Sequence, residues 1–167
     1  MKKFLAITLL TGIISAGILA FAPRTVNADF NGEWSLNKDK SDLGQFGDFA
    51  PYTLKIEQKD DAITISRTSR GFDGNEVSVS ETLTFDGKEI ETTLFGSSKK
   101  KASFKWNDDG NGFSEKYQLM LDFNGQMNEI NGTESWALSE DGKTITLQNN
   151  STSSFGDLST KGIYEKK

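Results

Sequence analysis

The chain has 167 residues, of which 35% are apolar and 26% are charged, with 19 Lys and Arg against 24 Asp and Glu. It contains no Cys and no His, which excludes disulfides, thiolate and imidazole catalysis, and metal sites built on sulfur or imidazole ligands. Nucleic-acid affinity comes mainly from cations that neutralise phosphates, so an acidic chain whose basic cluster is three lysines at 99–101 is not expected to bind nucleic acid.

The first 28 residues have the features of a signal peptide. Lys2 and Lys3 precede an uncharged run over 4–22, and Val26-Asn27-Ala28 resembles a small-residue cleavage site. We therefore expect a mature protein that begins at Asp29, is secreted or periplasmic, and is not integral to the membrane after cleavage. The alternative is an uncleaved anchor, because 19 uncharged residues come close to the length of a membrane span.

Residues 29–167 are predicted to form one all-β domain. Alternation of apolar and polar residues recurs there, interrupted by Asn-Gly and Asp-Gly dipeptides that suit tight hairpins, and long patterns of period 3.6 are absent. The alternation predicts ten strands, at 32–37, 52–58, 62–68, 76–85, 89–95, 101–106, 112–123, 126–139, 143–149 and 160–166.

The connections between these strands favour an antiparallel up-and-down barrel. Most are too short for crossover helices, so consecutive strands should pair, and a meander either closes or leaves two exposed edges. Whether eight or ten strands close the barrel stays open. The longest connection, 38–51, is predicted to cover one barrel mouth with a helical turn, and the Ser/Thr-rich stretch 150–159 is predicted to be a mobile loop.

The start of this domain, with Gly32 and Trp34 in a Gly-x-Trp pattern, and the later segment from Trp136 to Thr144 resemble small secreted bacterial lipocalin-like proteins. The resemblance implies a β-barrel of the calycin type whose interior often holds a small apolar molecule. It also implies a structural role for Gly32 and Trp34, with Trp34 packed across the closed end. Typical lipocalins stack a late basic residue on that tryptophan, and the last strand offers Lys161 and Lys166.

Four ionisable residues interrupt the predicted inner faces, and they sum to −2: Arg67, Glu81, Glu115 and Glu134. A dry interior penalises unpaired charge strongly, so we expect a wet lumen, a protonated carboxyl or a further positive group. Bulges that turn some of these residues outward, or a purely structural ion network, are the alternatives. With an apolar lining the four would form a ligand site, and the predicted lining is Phe104, Trp106, Tyr117 and Trp136.

The sequence therefore favours a non-enzymatic binding protein for a small apolar or amphipathic molecule, with no cofactor and no metal. Arg67 would suit a carboxylate head group, whereas the glutamates would suit a cationic or hydroxyl-bearing one. One alternative is an envelope protein-interaction module with a filled barrel that binds a protein partner through 38–51 and 150–159. A second is a glycoside hydrolase that uses two of the three glutamates. The stretch 107–112 partly matches a calcium loop but is predicted to be a hairpin turn.

Overall fold

The computed structural model describes residues 27–167 except 60, 72, 95, 96 and 124. Almost all of the predicted signal peptide, 1–28, lies outside the described residues. The described chain forms ten strands, which confirms the predicted all-β class, and each observed strand overlaps its predicted range. They are β1 (Gly32–Leu36), β2 (Thr53–Gln58), β3 (Ala62–Arg70), β4 (Glu76–Thr84), β5 (Ile90–Thr93), β6 (Lys99–Trp106), β7 (Gly112–Phe123), β8 (Gln126–Leu138), β9 (Thr144–Ser153) and β10 (Gly156–Lys166).

All ten strands belong to one antiparallel sheet that curls into a nearly closed barrel. The order is β4-β3-β2-β1-β10-β9-β8-β7-β6-β5, so the first and last strands pair with each other. The break in the ring falls between β4 and β5, which are consecutive in the chain but are not paired in the described sheet. There β4 lies against β6 instead. We call this contact the seam, because side chains rather than backbone hydrogen bonds join its two sides.

The connection between β1 and β2 covers one end of the barrel, the mouth, as expected. It contains two short 3-10 helices, Lys38–Lys40 and Gly44–Phe49. The Tyr164 hydroxyl on β10 donates to the carbonyl of Pro51 over 2.9 Å, and the backbone of Ile163 donates to the Ser41 hydroxyl. These bonds hold the connection against β10.

The prediction of a mobile loop at 150–159 is wrong. Strands β9 and β10 extend through this stretch, and only residues 154 and 155 form the turn between them. Polar cross-strand pairs satisfy the Ser/Thr-rich sequence: Thr152 donates to Asp157 over 2.8 Å, and Ser159 donates to Asn150 over 2.8 Å. Ser and Thr on a two-stranded ribbon can bond across it, so their polarity does not require a loop.

The opposite, closed end is filled by aromatic side chains. Trp34 is fully buried and its indole donates to the carbonyl of Phe30 over 3.1 Å. Of the two candidate lysines, Lys166 lies over Trp34, with Nζ 5.1 Å from the ring centroid, whereas Lys161 pairs through its backbone with Asp42 in the mouth connection. Gly32 has φ +131°, and a Cβ there would meet the Lys166 side chain at 3.1 Å. The residues of the Gly-x-Trp pattern thus do form one packed unit with the last strand.

The stretch 107–112 is a hairpin turn, as predicted. The backbone N–H of Asn107 donates to the carbonyl of Gly112 over 2.9 Å, and Gly110, at φ +71°, donates back to Asn107. The Asp109 carboxylate accepts from the backbone of Asn111. This local bonding accounts for the Asn and Asp residues of the stretch.

Candidate functional site

Five charged side chains meet inside the barrel, between the aromatic closed end and the mouth. We call them the ionic cluster: Arg67 on β3, Glu81 on β4, Lys100 on β6, Glu115 on β7 and Glu134 on β8. Strand alternation put the four predicted members on inner faces, and all four do point inward, so no bulge turns any of them out. Lys100 was not predicted.

Arg67 is the centre of the cluster. Its two terminal nitrogens grip Glu134 as a fork, with Nη2 2.8 Å from Oε2 and Nη1 3.3 Å from Oε1. The same Nη2 lies 3.1 Å from Glu81 and 3.5 Å from Glu115. The guanidinium also lies 5.3 Å from the ring centroid of Trp136, whose indole donates to Glu134. The Arg67 guanidinium therefore interacts with three carboxylates and with the ring face of Trp136.

Lys100 supplies the second positive charge. Its Nζ donates to both oxygens of Glu81, over 2.8 and 3.0 Å, and contacts Glu115. The ammonium lies 5.2 Å from the ring centroid of Tyr117. Because Glu81 is on β4 and Lys100 on β6, this ion pair crosses the seam. The cluster thus ties together two strands that no backbone hydrogen bond joins among the described residues.

The charges come close to balance once Glu115 is considered. Burial, and after it the neighbouring carboxylate of Glu134, raise the pKa of the Glu115 carboxyl to about 7 against the opposing effects of Lys100 and Arg67. Burial also opposes ionisation of Glu81, but Arg67 and Lys100 outweigh it and hold the pKa of Glu81 below its usual 4.5. Below pH 7 the cluster therefore tends towards two cations and two anions, which resolves the excess of acid expected from the sequence.

We expect the Glu115 carboxyl to weaken the fold as pH rises. A folded-state pKa of about 7 against 4.5 means that its full stability is present below pH 4.5 and is lost as pH rises through 7. Glu115→Gln should remove this dependence. Urea unfolding would be measured at pH 5 and pH 8. From the lower to the higher pH, the free energy of unfolding of the wild type should fall by about 2–3 kcal/mol more than that of the variant.

Glu129→Gln is the matched control, because Glu129 is exposed on the same sheet. Its difference from the wild type should be the same at pH 5 and pH 8. The lowered pKa of Glu81 acts in the opposite sense, but in the window below pH 4.5, so it does not mask the effect. A Glu115→Gln difference that does not change with pH would show that the buried carboxyl stays ionised throughout.

Two tyrosines flank the cluster, and each lies against a glycine. A Cβ on Gly132 would come within 2.4 Å of the Tyr117 ring, and a Cβ on Gly162 within 2.8 Å of the Tyr164 ring. The missing side chains let both rings lie flat along the inner wall. The Tyr117 hydroxyl then donates to Asn149 over 2.9 Å, which places hydroxyl and amide groups beside the charges.

Two adjoining cavities open above the cluster on the mouth side, and both are lined by Pro51, Arg67 and Glu134. One has a volume of about 230 Å³ and lies between the mouth connection and β10, with Leu158 and Tyr164 in its wall. The other has a volume of about 210 Å³ and lies inside the seam, with Val79 and Tyr117 in its wall. The floor of this space is charged and most of its walls are apolar. The other apolar residues in the two walls are Leu43, Ala50, Leu94, Leu119 and Leu147.

The predicted aromatic lining is only partly found there. Tyr117 lines the seam-side cavity, and Trp136 touches the cluster from the closed end. Phe104 and Trp106 line neither cavity. They pack with Phe30, Phe85 and Phe113 at ring-centroid distances of 4.2 to 6.0 Å. These two side chains therefore belong to the packed closed end, and aliphatic residues form the cavity walls.

The fold resembles that of zebrafish ileal bile acid-binding protein, solved in complex with cholic acid. The TM-score is 0.53 and the sequence identity 15%, and the alignment covers 83% of this chain and 98% of that one. No family model and no curated protein matches the sequence. At this identity the likeness shows the fold, a barrel of the calycin type. The finer resemblance to secreted lipocalin-like proteins stays a prediction.

The described part of the chain contains no helix that is both long and apolar enough to cross a membrane.

Proposed function

We propose that this protein is an exported, non-enzymatic binding protein that holds a small apolar or amphipathic molecule between the ionic cluster and the mouth. The observation that supports this most is the pair of adjoining cavities, which have apolar walls and a charged floor. Ligand pockets are usually apolar clefts of about 300 Å³ or more with a few polar groups that orient the ligand. A molecule that spans both cavities would occupy a space of this kind. Export rests on the N-terminal sequence pattern alone.

The mouth connection fits a lid over such a ligand. It contributes Leu43, Ala50 and Pro51 to the cavity on the β10 side, so its removal would open that cavity to solvent. Bonds at Asp42 and Ser41 fix its first part to β10, and the bond from Tyr164 to Pro51 fixes its end. The backbone bond described for 43–50, from Ala50 to Gly47, stays within the segment. A short segment tied by few bonds can open more easily than the paired strands below it.

The burial of the glutamates argues against a hydrolase. Glu115 has the raised pKa that a general acid needs, but its side chain is fully buried and lines neither cavity. Glu81 and Glu134 are each engaged by a cation. A catalytic acid must reach the substrate. Glu115, the carboxyl with the raised pKa, reaches neither cavity.

The protein-interaction alternative has less support. Phe155, which is 77% exposed at the β9–β10 turn, is the most exposed large apolar side chain in the described part of the chain. One aromatic ring is a small area next to the roughly 800 Å² that each partner contributes to a standard interface.

A cavity-filling variant should test the proposal. Val79→Trp places an indole in the cavity at the seam, so it should weaken the binding of a neutral fluorescent dye such as Nile red by about tenfold or more. Ser80→Trp is the control, since Ser80 is the next residue on β4 and is exposed, and it should leave the dye affinity unchanged.

Native mass spectrometry of gently purified protein should show a mass above that of the polypeptide. A bare polypeptide in every preparation together with no dye uptake would overturn the proposal.

A further inference from the structure

We propose that the ionic cluster selects a ligand whose head group is uncharged and carries a hydroxyl or carbonyl oxygen, and that it rejects carboxylates. This inference rests on the proposed function, because it assigns the ligand class of the same cavities. It follows from which charges of the cluster are already matched and which hydrogen-bonding groups are left over.

Among the described residues of the ionic cluster, an anionic head group finds no free cation. Arg67 and Glu134 line both cavities. The Glu134 carboxylate already accepts from both terminal nitrogens of Arg67, so the fork of the guanidinium is occupied. Lys100 is held by both oxygens of Glu81 and contacts Glu115. Both cations of the described cluster are engaged by its own carboxylates, so a carboxylate ligand would have to displace Glu134 from the fork. A displaced Glu134 would be left as a buried, unpaired charge.

A cationic head group is disfavoured by the part of the cluster that faces the cavities. The side chain of Arg67 is 17% exposed, against 10% for Glu134 and 8% for Lys100. A cation that enters from the mouth would therefore approach the guanidinium first. Both oxygens of Glu134 already accept from Arg67, and one also accepts from Trp136. Its negative charge is thus largely matched before any ligand arrives.

Neutral hydrogen-bonding capacity remains available at the same place. A guanidinium has five N–H donors, and Arg67 makes three hydrogen bonds to described residues. Its Nε has no partner among them but is buried out of reach, so the donor left for a ligand is the second N–H of Nη1. The hydroxyls of Tyr117 and Tyr164 each donate once and keep lone pairs that can accept. Ser69 and Thr160 add further hydroxyls to the cavity walls. A hydroxyl or carbonyl oxygen could accept from a spare guanidinium N–H without breaking any ion pair.

The test compares three probes that have the same ten-carbon chain and different head groups. Decanol, decanoate and decylamine would each be titrated at pH 8 against the wild-type protein loaded with Nile red. We expect decanol to displace the dye about tenfold more effectively than either charged probe. Equal or stronger displacement by decanoate or by decylamine would overturn the inference and leave the proposed function standing. Dye uptake that none of the three probes displaces would overturn the inference alone, and no dye uptake at all would remove both the inference and the proposed function.

A variant should reverse the selection. Glu134→Gln removes one negative charge and frees the fork of Arg67, so the affinity for decanoate should rise about tenfold while that for decanol changes little. Glu129→Gln, on the same strand but exposed, is the control and should alter neither affinity. Circular dichroism would verify the fold of both variants. If Glu134→Gln does not fold, Glu81→Gln removes a carboxylate from the same guanidinium and should shift the preference in the same direction. No gain for decanoate in a folded variant would show that the cluster does not set the selection.

Discussion

Replacing Arg67 with Met should destabilise the fold by about 3–5 kcal/mol at pH 8, because it leaves buried carboxylates with too little positive charge. Three glutamates share this guanidinium, and each is at most 10% exposed at its side chain. Met is unbranched and matches the stem of Arg as far as Nε, so the packing around that stem is kept and the loss comes mainly from the missing guanidinium. The cost should also appear at the seam, since Glu81 would then depend on Lys100 alone.

The pH dependence distinguishes this electrostatic cost from a packing defect. Without Arg67 the orphaned carboxyls acquire raised pKa values, so the variant regains stability as pH falls and they take up protons. Urea unfolding at pH 5 and pH 8 should therefore give a smaller loss at pH 5. Arg70→Met is the matched control, because Arg70 ends the same strand and is exposed, and it should cost no more than about 0.5 kcal/mol. Equal effects of the two substitutions would mean that the cluster is hydrated and that water already screens its charges.

Alternation along the chain predicted four of the five charged side chains of the ionic cluster, because the side-chain period of a strand is two. It missed Lys100 because β6 begins two residues earlier than the pattern indicates. A run of three lysines also looks like a solvated surface. The pairing of Lys100 with Glu81 depends on the seam, where β4 lies against β6 although the short strand β5 is the one that pairs with that edge of β6. No local sequence pattern predicts that two consecutive strands will not pair with each other.

Alternation also fixes the face of a strand but not the depth at which a side chain sits along the barrel. Phe104 and Trp106 point inward as predicted, yet they lie at the closed end, and the cavities lie towards the mouth. Depth follows from register and from the stagger of neighbouring strands, which are set by the whole sheet. The cavity walls accordingly contain aliphatic residues such as Val79 and Leu158, which single strands did not mark as special.

The second large effect is expected at the closed end. Trp34→Ala should destabilise the fold by about 3–5 kcal/mol, the usual cost of removing a fully buried tryptophan. Trp34 is 0% exposed, and the substitution removes both its indole hydrogen bond to Phe30 and the surface on which Lys166 lies. Because β1 pairs with both β2 and β10, the loss falls where the first and last strands close the ring.

Three comparisons separate the parts of this effect. Lys166→Ala should cost no more than about 1 kcal/mol, because the cation–π contact is made by a lysine at the surface. Phe155→Ala, at a site 77% exposed, should be nearly neutral and controls for the loss of an aromatic ring as such. Unfolding in urea should show a lower midpoint for Trp34→Ala at pH 5 and pH 8 alike, because the substitution removes apolar packing and a hydrogen bond between uncharged groups. A loss below about 1 kcal/mol would mean that the closed end can collapse around the missing ring, and that β1 is held by its backbone pairing rather than by this side chain.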